Sequence, residues 1–197
     1  SVAILLADVG AIKFGEFTLA SGKTSPYYID LRVIPSYPAE FTKLTEFFIQ
    51  WLATHPEVTF ERIAGVPTAG ISFATTLSNR LGIPMLYVRS KPKQYGRQQR
   101  VEGVIKSGDH VLVVDDLITD GGSKIEAVQA LREAGAKVTD VLVIVDRQQG
   151  GARQLKKEKL TLHALAPISY LIKALEEEKR LSNSDAKRIL TYIADQG

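Results

Sequence analysis

Residues 111–124 constrain this chain more than any other stretch. They read Val111-Leu112-Val113-Val114-Asp115-Asp116-Leu117-Ile118-Thr119-Asp120-Gly121-Gly122-Ser123-Lys124. Four consecutive branched apolar residues suit a strand buried on both faces. The two carboxylates stand where that strand should end. A short Thr, Asp and Gly loop then opens a helix expected over Lys124 to Glu133, ended by Gly135. Small residues at a helix N-terminus expose unpaired backbone N–H groups at the positive end of the dipole, which suits a phosphate. Paired acids suit a metal ion or sugar hydroxyls. Together these residues describe a site for a phosphorylated sugar with Mg²⁺.

Two other motifs also place acids after an apolar strand. A nucleotide triphosphatase would need G-x-x-x-x-G-K-[ST], which occurs nowhere in the chain. A response-regulator receiver carries its acidic pair near the start of the domain, whereas Asp115 stands past the middle of these 197 residues. The rest of the chain alternates helical and strand patterns, which predicts an α/β fold with a mostly parallel sheet flanked by helices. Ser1–Gly10 reads as a short helix. Ala39–His55, after Pro38, carries the helical stripe Phe41, Leu44, Phe47, Phe48, Trp51 and Leu52. Arg62–Val66 and Met85–Val88 read as strands around a helix over Ile71–Leu81. Val138–Val145 is a strong strand and Leu160–Ala166 an edge strand. Helices over Pro167–Glu178 and Ser184–Ala194, the latter capped by Ser184, close the chain.

The chain has the length of one domain, residues 1–197, with no linker and no repeat. It has no cysteine, which excludes disulfides and a thiol nucleophile, and its three histidines show no metal-ligand spacing. No apolar run is long enough for a membrane span and no signal peptide is evident, so a cytoplasmic location is expected. The net charge is +3 and the pI about 9.0. The basic residues cluster in Ser90–Gly108, which carries Lys91, Lys93, Arg97, Arg100 and Lys106, rather than along a helix face. That favours a polyanionic small substrate over nucleic acid. A segment this long and basic reads as a mobile lid over an anion.

The 111–124 pattern resembles the signature of type I phosphoribosyltransferases, which bind phosphoribosyl pyrophosphate (PRPP). The resemblance implies that Asp115 and Asp116 lie near the ribose hydroxyls and help hold Mg²⁺ indirectly, the metal being held mainly by PRPP. It implies that the loop Thr119, Asp120, Gly121, Gly122 and Ser123 wraps the 5′-phosphate, with Leu117 and Ile118 also in the PRPP site. Gly65-Val66-Pro67-Thr68-Ala69-Gly70 resembles the family's pyrophosphate loop, implying PRPP contacts at Thr68 and Ala69. Arg89 through Gly96 resembles its catalytic loop, implying contacts at Arg89, Ser90, Lys91, Lys93 and Tyr95, with Lys93 catalytic beside the two acids.

Which base the family member takes must be read elsewhere. Phe14–Arg32, with Ser25-Pro26-Tyr27-Tyr28-Ile29-Asp30, resembles the N-terminal hood of the orotate-specific members, here residues 1–35, in which positions matching Tyr28 and Ile29 border the base. Val145-Asp146-Arg147 resembles the strand end whose Arg meets the orotate carboxylate, and a guanidinium is the best fork for a carboxylate. Thr119 would lie between base and phosphate. The chain departs from the family at Ala20, Ala69 and Ser90, where many or bacterial members have Lys; Lys91 and Lys23 are candidate replacements. The resemblance further implies a homodimer in which the basic loop of one subunit closes over the site of the other. A purine phosphoribosyltransferase and a non-catalytic PRPP-sensing regulator are the competing readings. The hood and Arg147 argue against the first, and the lack of a helix-turn-helix before residue 14 argues against the second.

Overall fold

A computed structural model describes residues 1–18, 22, 24–90 and 100–196. The sequence readings at Ala20, Lys23, Lys91, Lys93, Tyr95 and Arg97 fall outside these. The order opens with α1 (Val2–Asp8), then the strands β1 (Ile12–Thr18) and β2 (Thr24–Ile29) and a 3-10 turn (Leu31–Ser36). There follow α2 (Pro38–Thr54), β3 (Arg62–Gly65), α3 (Ala69–Leu81), β4 (Met85–Val88) and β5 (Val101–Glu102). The chain continues through β6 (Val111–Ile118), α4 (Gly122–Glu133), β7 (Asp140–Asp146) and α5 (Gly151–Lys157). It ends with β8 (Thr161–Pro167), α6 (Ile168–Glu177) and α7 (Asn183–Gln196).

Six strands form one sheet in the order β5-β4-β3-β6-β7-β8, parallel except for β5. The pleat of β6 shows why the apolar run was needed. Leu112 and Val114 enter one core with α2, α3, α6 and α7, while Val111 and Val113 enter a second with α4 and α5. Strand β8 is the sheet edge, as expected. Counted in chain order, the five parallel strands lie 2-1-3-4-5, so the order reverses between β3 and β6. Open α/β sheets bind ligands beyond the carboxyl ends of their strands at such a switch point.

Three expectations need correction. Strand β6 does not stop at the acids but runs to Ile118, because Leu117 and Ile118 still pair with Val145 and Asp146 of β7. The segment 90–108 is not all loop: Val101 and Glu102 form β5, antiparallel to Tyr87 and Val88. Ser184 does not cap α7. Ser182 does, two residues earlier, its Oγ accepting from Asp185 N at 3.1 Å and donating to the Asp185 carboxylate at 2.7 Å.

The N-terminal segment packs as a unit against the α2–α6–α7 side. Val2, Leu5 and Leu6 of α1, Tyr27 and Ile29 of β2, and Leu31 and Ile34 of the 3-10 turn are all buried in that core. The β1–β2 hairpin is a separate two-stranded sheet, held by this burial rather than by pairing with the main sheet.

Candidate active site

The motifs converge on one edge of the sheet. Beyond β3 comes Val66, whose N–H donates to Val114 O at 3.1 Å, and then the cis Pro67–Thr68 peptide and the first turn of α3. Beside it, β6 delivers Asp115 and Asp116 and then the loop Thr119–Gly121 into α4. Next to that, Arg147 follows β7, its N–H donating to Ile118 O at 3.0 Å. Arg89 and Ser90 follow β4 on the far side, where Arg89 N–H donates to Arg100 O at 2.7 Å.

Successive residues of a strand face opposite ways, and this separates the two acids. Asp115 is buried at 4% exposure. Its Oδ2 lies 2.6 Å from Nζ of Lys124, itself 6% exposed. Burial pushes the Asp115 carboxyl up to about 7 against the pull of Lys124, with Asp116 adding to the rise. A Cβ on Gly70 would stand 2.7 Å from Asp115 Oδ1 and 2.6 Å from Val114 O, so only glycine lets α3 approach the pair this closely. Asp116 is only half-buried, and its Oδ1 accepts from Leu117 N at 2.7 Å. In the hood, the Arg32 guanidinium donates to both carboxylate oxygens of Asp30, at 2.7 and 3.0 Å, and Asp116 exerts only a weak pull on it.

Lys124 escaped the sequence reading, although a signal was present. It falls in the apolar stripe of α4 with Ala127, Val128 and Leu131, and a cation in a first helical turn opposes the dipole. A lysine in that slot needs a buried anion, and Asp115 is that anion.

The Thr119–Ser123 loop turns directly into the first turn of α4. Asp120 Oδ1 accepts from Gly122 N at 3.0 Å, turning the chain so that the exposed Gly122 and Ser123 open α4. Ile118 and Leu117 differ from the other loop positions. Ile118 is fully buried in the α4 core and Leu117 packs on the opposite one, so their side chains are structural and only their backbones face the edge. The loop is supported from below by α5. A Cβ on Gly151 would lie 2.6 Å from both Ile118 Cγ1 and Thr119 O. Gly151→Ala is therefore expected to push the loop outward, costing about 1–3 kcal/mol of stability and raising KM for the phosphorylated substrate. Thermal melts and steady-state kinetics check this; an unchanged KM would show that the loop does not carry the phosphate.

Arg147 is aimed by its neighbours. Asp146 accepts from Gln148 N at 2.8 Å and Gln148 takes a positive φ of 57°. Gln148 Oε1 in turn accepts from Ser169 N at 3.0 Å, at the start of α6. Burial raises the Asp146 carboxyl against that backbone hydrogen bond. The Arg147 guanidinium lies 5.2 Å from the centroid of the Tyr27 ring, which brings the hood to the end of β7. Its Nε is buried without a hydrogen-bond partner. Tyr28 points the other way and is 37% exposed, 5.7 Å from Phe17. Ile29 is buried in the core, so of the two hood residues expected at the base only Tyr28 offers a side chain.

Among the described residues no three His, Cys, Asp or Glu side chains cluster as a metal cage. Asp115 is committed to Lys124, which leaves Asp116. One open carboxylate beside a phosphate loop fits a divalent cation that arrives on its substrate rather than in a cage of protein ligands. Among the described residues no helix is long and apolar enough to cross a membrane.

A phosphate loop, an acidic strand end and a second turn across a topological switch point define a class of nucleotide-forming transferase. The family described as the phosphoribosyl transferase domain matches residues 38–170, and the chain belongs to it. It is 42% identical over 167 residues to the orotate phosphoribosyltransferase of Methanocaldococcus jannaschii, covering 85% of this chain and 93% of that protein. It is 37% identical over 190 residues to the uridine 5′-monophosphate synthase of Bos taurus, covering 96% of this chain but only 39% of that relative's length. The solved orotate phosphoribosyltransferase of Aeropyrum pernix superposes with a TM-score of 0.78 at 32% identity, covering 89% of this chain and 98% of that one. Within its family the chain thus belongs with the orotate phosphoribosyltransferases, enzymes of pyrimidine biosynthesis.

Proposed function

We propose that this site transfers the 5-phosphoribosyl group of PRPP to N1 of orotate, giving orotidine 5′-monophosphate and pyrophosphate. The observation that carries the reading is Arg147: a cation at the end of a sheet strand, under the hood, with a buried nitrogen lacking any acceptor. Such a group favours a carboxylated base over uracil or a purine. The phosphate loop Thr119–Ser123 takes the 5′-phosphate, Asp116 meets the ribose hydroxyls, and the Thr68–Ala69 turn takes the pyrophosphate. Asp115, committed to Lys124, holds the strand end that presents Asp116 rather than meeting the ribose itself. Mg²⁺ carried by the diphosphate, with Asp116 nearby, would stabilise the leaving charge.

The reaction displaces pyrophosphate at the anomeric carbon. As that bond loosens, positive charge grows on the ribose ring, and the Asp116 carboxylate stabilises it without a proton transfer. The orotate carboxylate is already ionised, but N1 still carries a proton, which is released as the C1′–N1 bond forms and passes to water or to the departing pyrophosphate. Hood and loop exclude water, which would otherwise capture the ring cation. In the test, purified protein is given PRPP, Mg²⁺ and orotate, uracil or hypoxanthine in turn, and pyrophosphate release is followed. Orotate is expected to react, only with PRPP and Mg²⁺ together, and the others far more slowly. Equal rates with uracil would overturn the assignment.

The reading includes a cytoplasmic homodimer with shared sites, supported by the family resemblance. Lys93→Ala and Asp116→Asn variants are each expected to be nearly inactive. Mixed and allowed to exchange, they should recover about a quarter of wild-type activity, since half of randomly paired dimers carry one intact site. No recovery despite proven exchange would show that Lys93 does not act across subunits.

A further inference from the structure

Two polar atoms of neighbouring side chains are buried without any partner: the hydroxyl of Tyr27 and Nε of Arg147. Tyr27 is fully buried, yet it is not simply core. One face of its ring receives the Arg147 guanidinium, 5.2 Å from the centroid. Tyr192 of α7 meets it edge-on, 6.1 Å between centroids and 82° between planes. Burial pushes the Tyr27 phenol up while Arg147 pulls the other way, which fits a neutral ring beside a charged guanidinium. The remainder of Arg147 is only partly buried, and among the described residues the side chain its guanidinium lies against is Tyr27. Its direction is therefore set by the ring beneath it.

We infer that Tyr27, braced by Tyr192, is a positioning residue for the base: its ring holds Arg147 extended toward the carboxylate of orotate. This rests on the orotate reading above and adds to it the segments that make it work. Tyr27 precedes the family-matched residues 38–170 and Tyr192 follows them, so hood and final helix meet at this one ring. The ring suits the task for a physical reason. A carboxylate partner for Arg147 within the protein would compete with the substrate, whereas an aromatic face attracts the guanidinium and leaves its N–H groups to donate. The orphaned Nε is consistent with this, since a ring face takes the place of a hydrogen-bond acceptor.

The test compares Tyr27→Leu, Tyr27→Phe and Tyr192→Leu with wild type and with Arg147→Ala, measuring KM for orotate, KM for PRPP, kcat and the melting temperature. Tyr27→Phe keeps the ring and removes only the unpartnered hydroxyl. It should keep KM for orotate within about twofold and melt no lower than wild type. Tyr27→Leu should raise KM for orotate about tenfold, as expected for a desolvated cation–π contact, and leave KM for PRPP unchanged. If Tyr27→Leu does not fold, Tyr192→Leu serves in its place and should raise the orotate KM several-fold with the same selectivity. A variant that loses only melting temperature, or raises both KM values together, overturns the inference. If Arg147→Ala raises the orotate KM and neither leucine variant does, the positioning role fails while the orotate reading stands. If wild type does not use orotate at all, the reading itself fails.

Discussion

Arg147→Ala is expected to cut kcat/KM for orotate by about 2–5 kcal/mol, a factor of roughly thirty to several thousand, with PRPP binding nearly intact. The reasoning is one of pairing. Orotate brings a carboxylate into a site whose only purpose-placed cation at the end of β7 is this guanidinium, set by the Asp146–Gln148 turn and carried on Tyr27. Removing it leaves a desolvated carboxylate with no partner, which costs more than losing an exposed ion pair. In the proposed reading PRPP meets other residues, in the Thr119–Ser123 loop and at the Thr68–Ala69 turn. Calorimetry with PRPP and with orotate separately measures the division. Equal loss of both ligands would show that Arg147 holds up the edge of the sheet rather than the base.

Substituting the two acids one at a time should give opposite results. Asp115→Asn leaves buried Lys124 without its counter-charge and is expected to cost about 3–5 kcal/mol of stability. Asp116→Asn should melt close to wild type yet lose turnover, by about 2–4 kcal/mol in kcat/KM, because its carboxylate is open to the ribose. Adding Lys124→Met to Asp115→Asn should recover most of the lost stability, since both buried charges are then gone. Equal stability of the two single variants would show that the Lys124 pair is not the reason for burying Asp115.

The sequence by itself determined the fold class, because helical and strand patterns alternate along it and the four apolar residues before Asp115 suit a strand covered on both faces. It also determined the strand–loop–helix passage through Thr119–Ser123, whose Asp and Gly residues act through local turns that need no distant partner. Arg147 was legible too, since a strand end is a local property and parallel strands bring their ends to one edge. Partnership across the chain was not legible. Asp115 and Asp116 look alike as neighbours, and only the packing of α4 gives one of them Lys124 and leaves the other open. Val101 and Glu102 look like loop until β4 supplies a strand to pair with. Tyr27 and Tyr28 are adjacent and identical, yet one lies buried under Arg147 and the other faces outward. In each case the deciding contact lies far away in the chain, so its energy has no trace in the local pattern and only the tertiary structure assigns it.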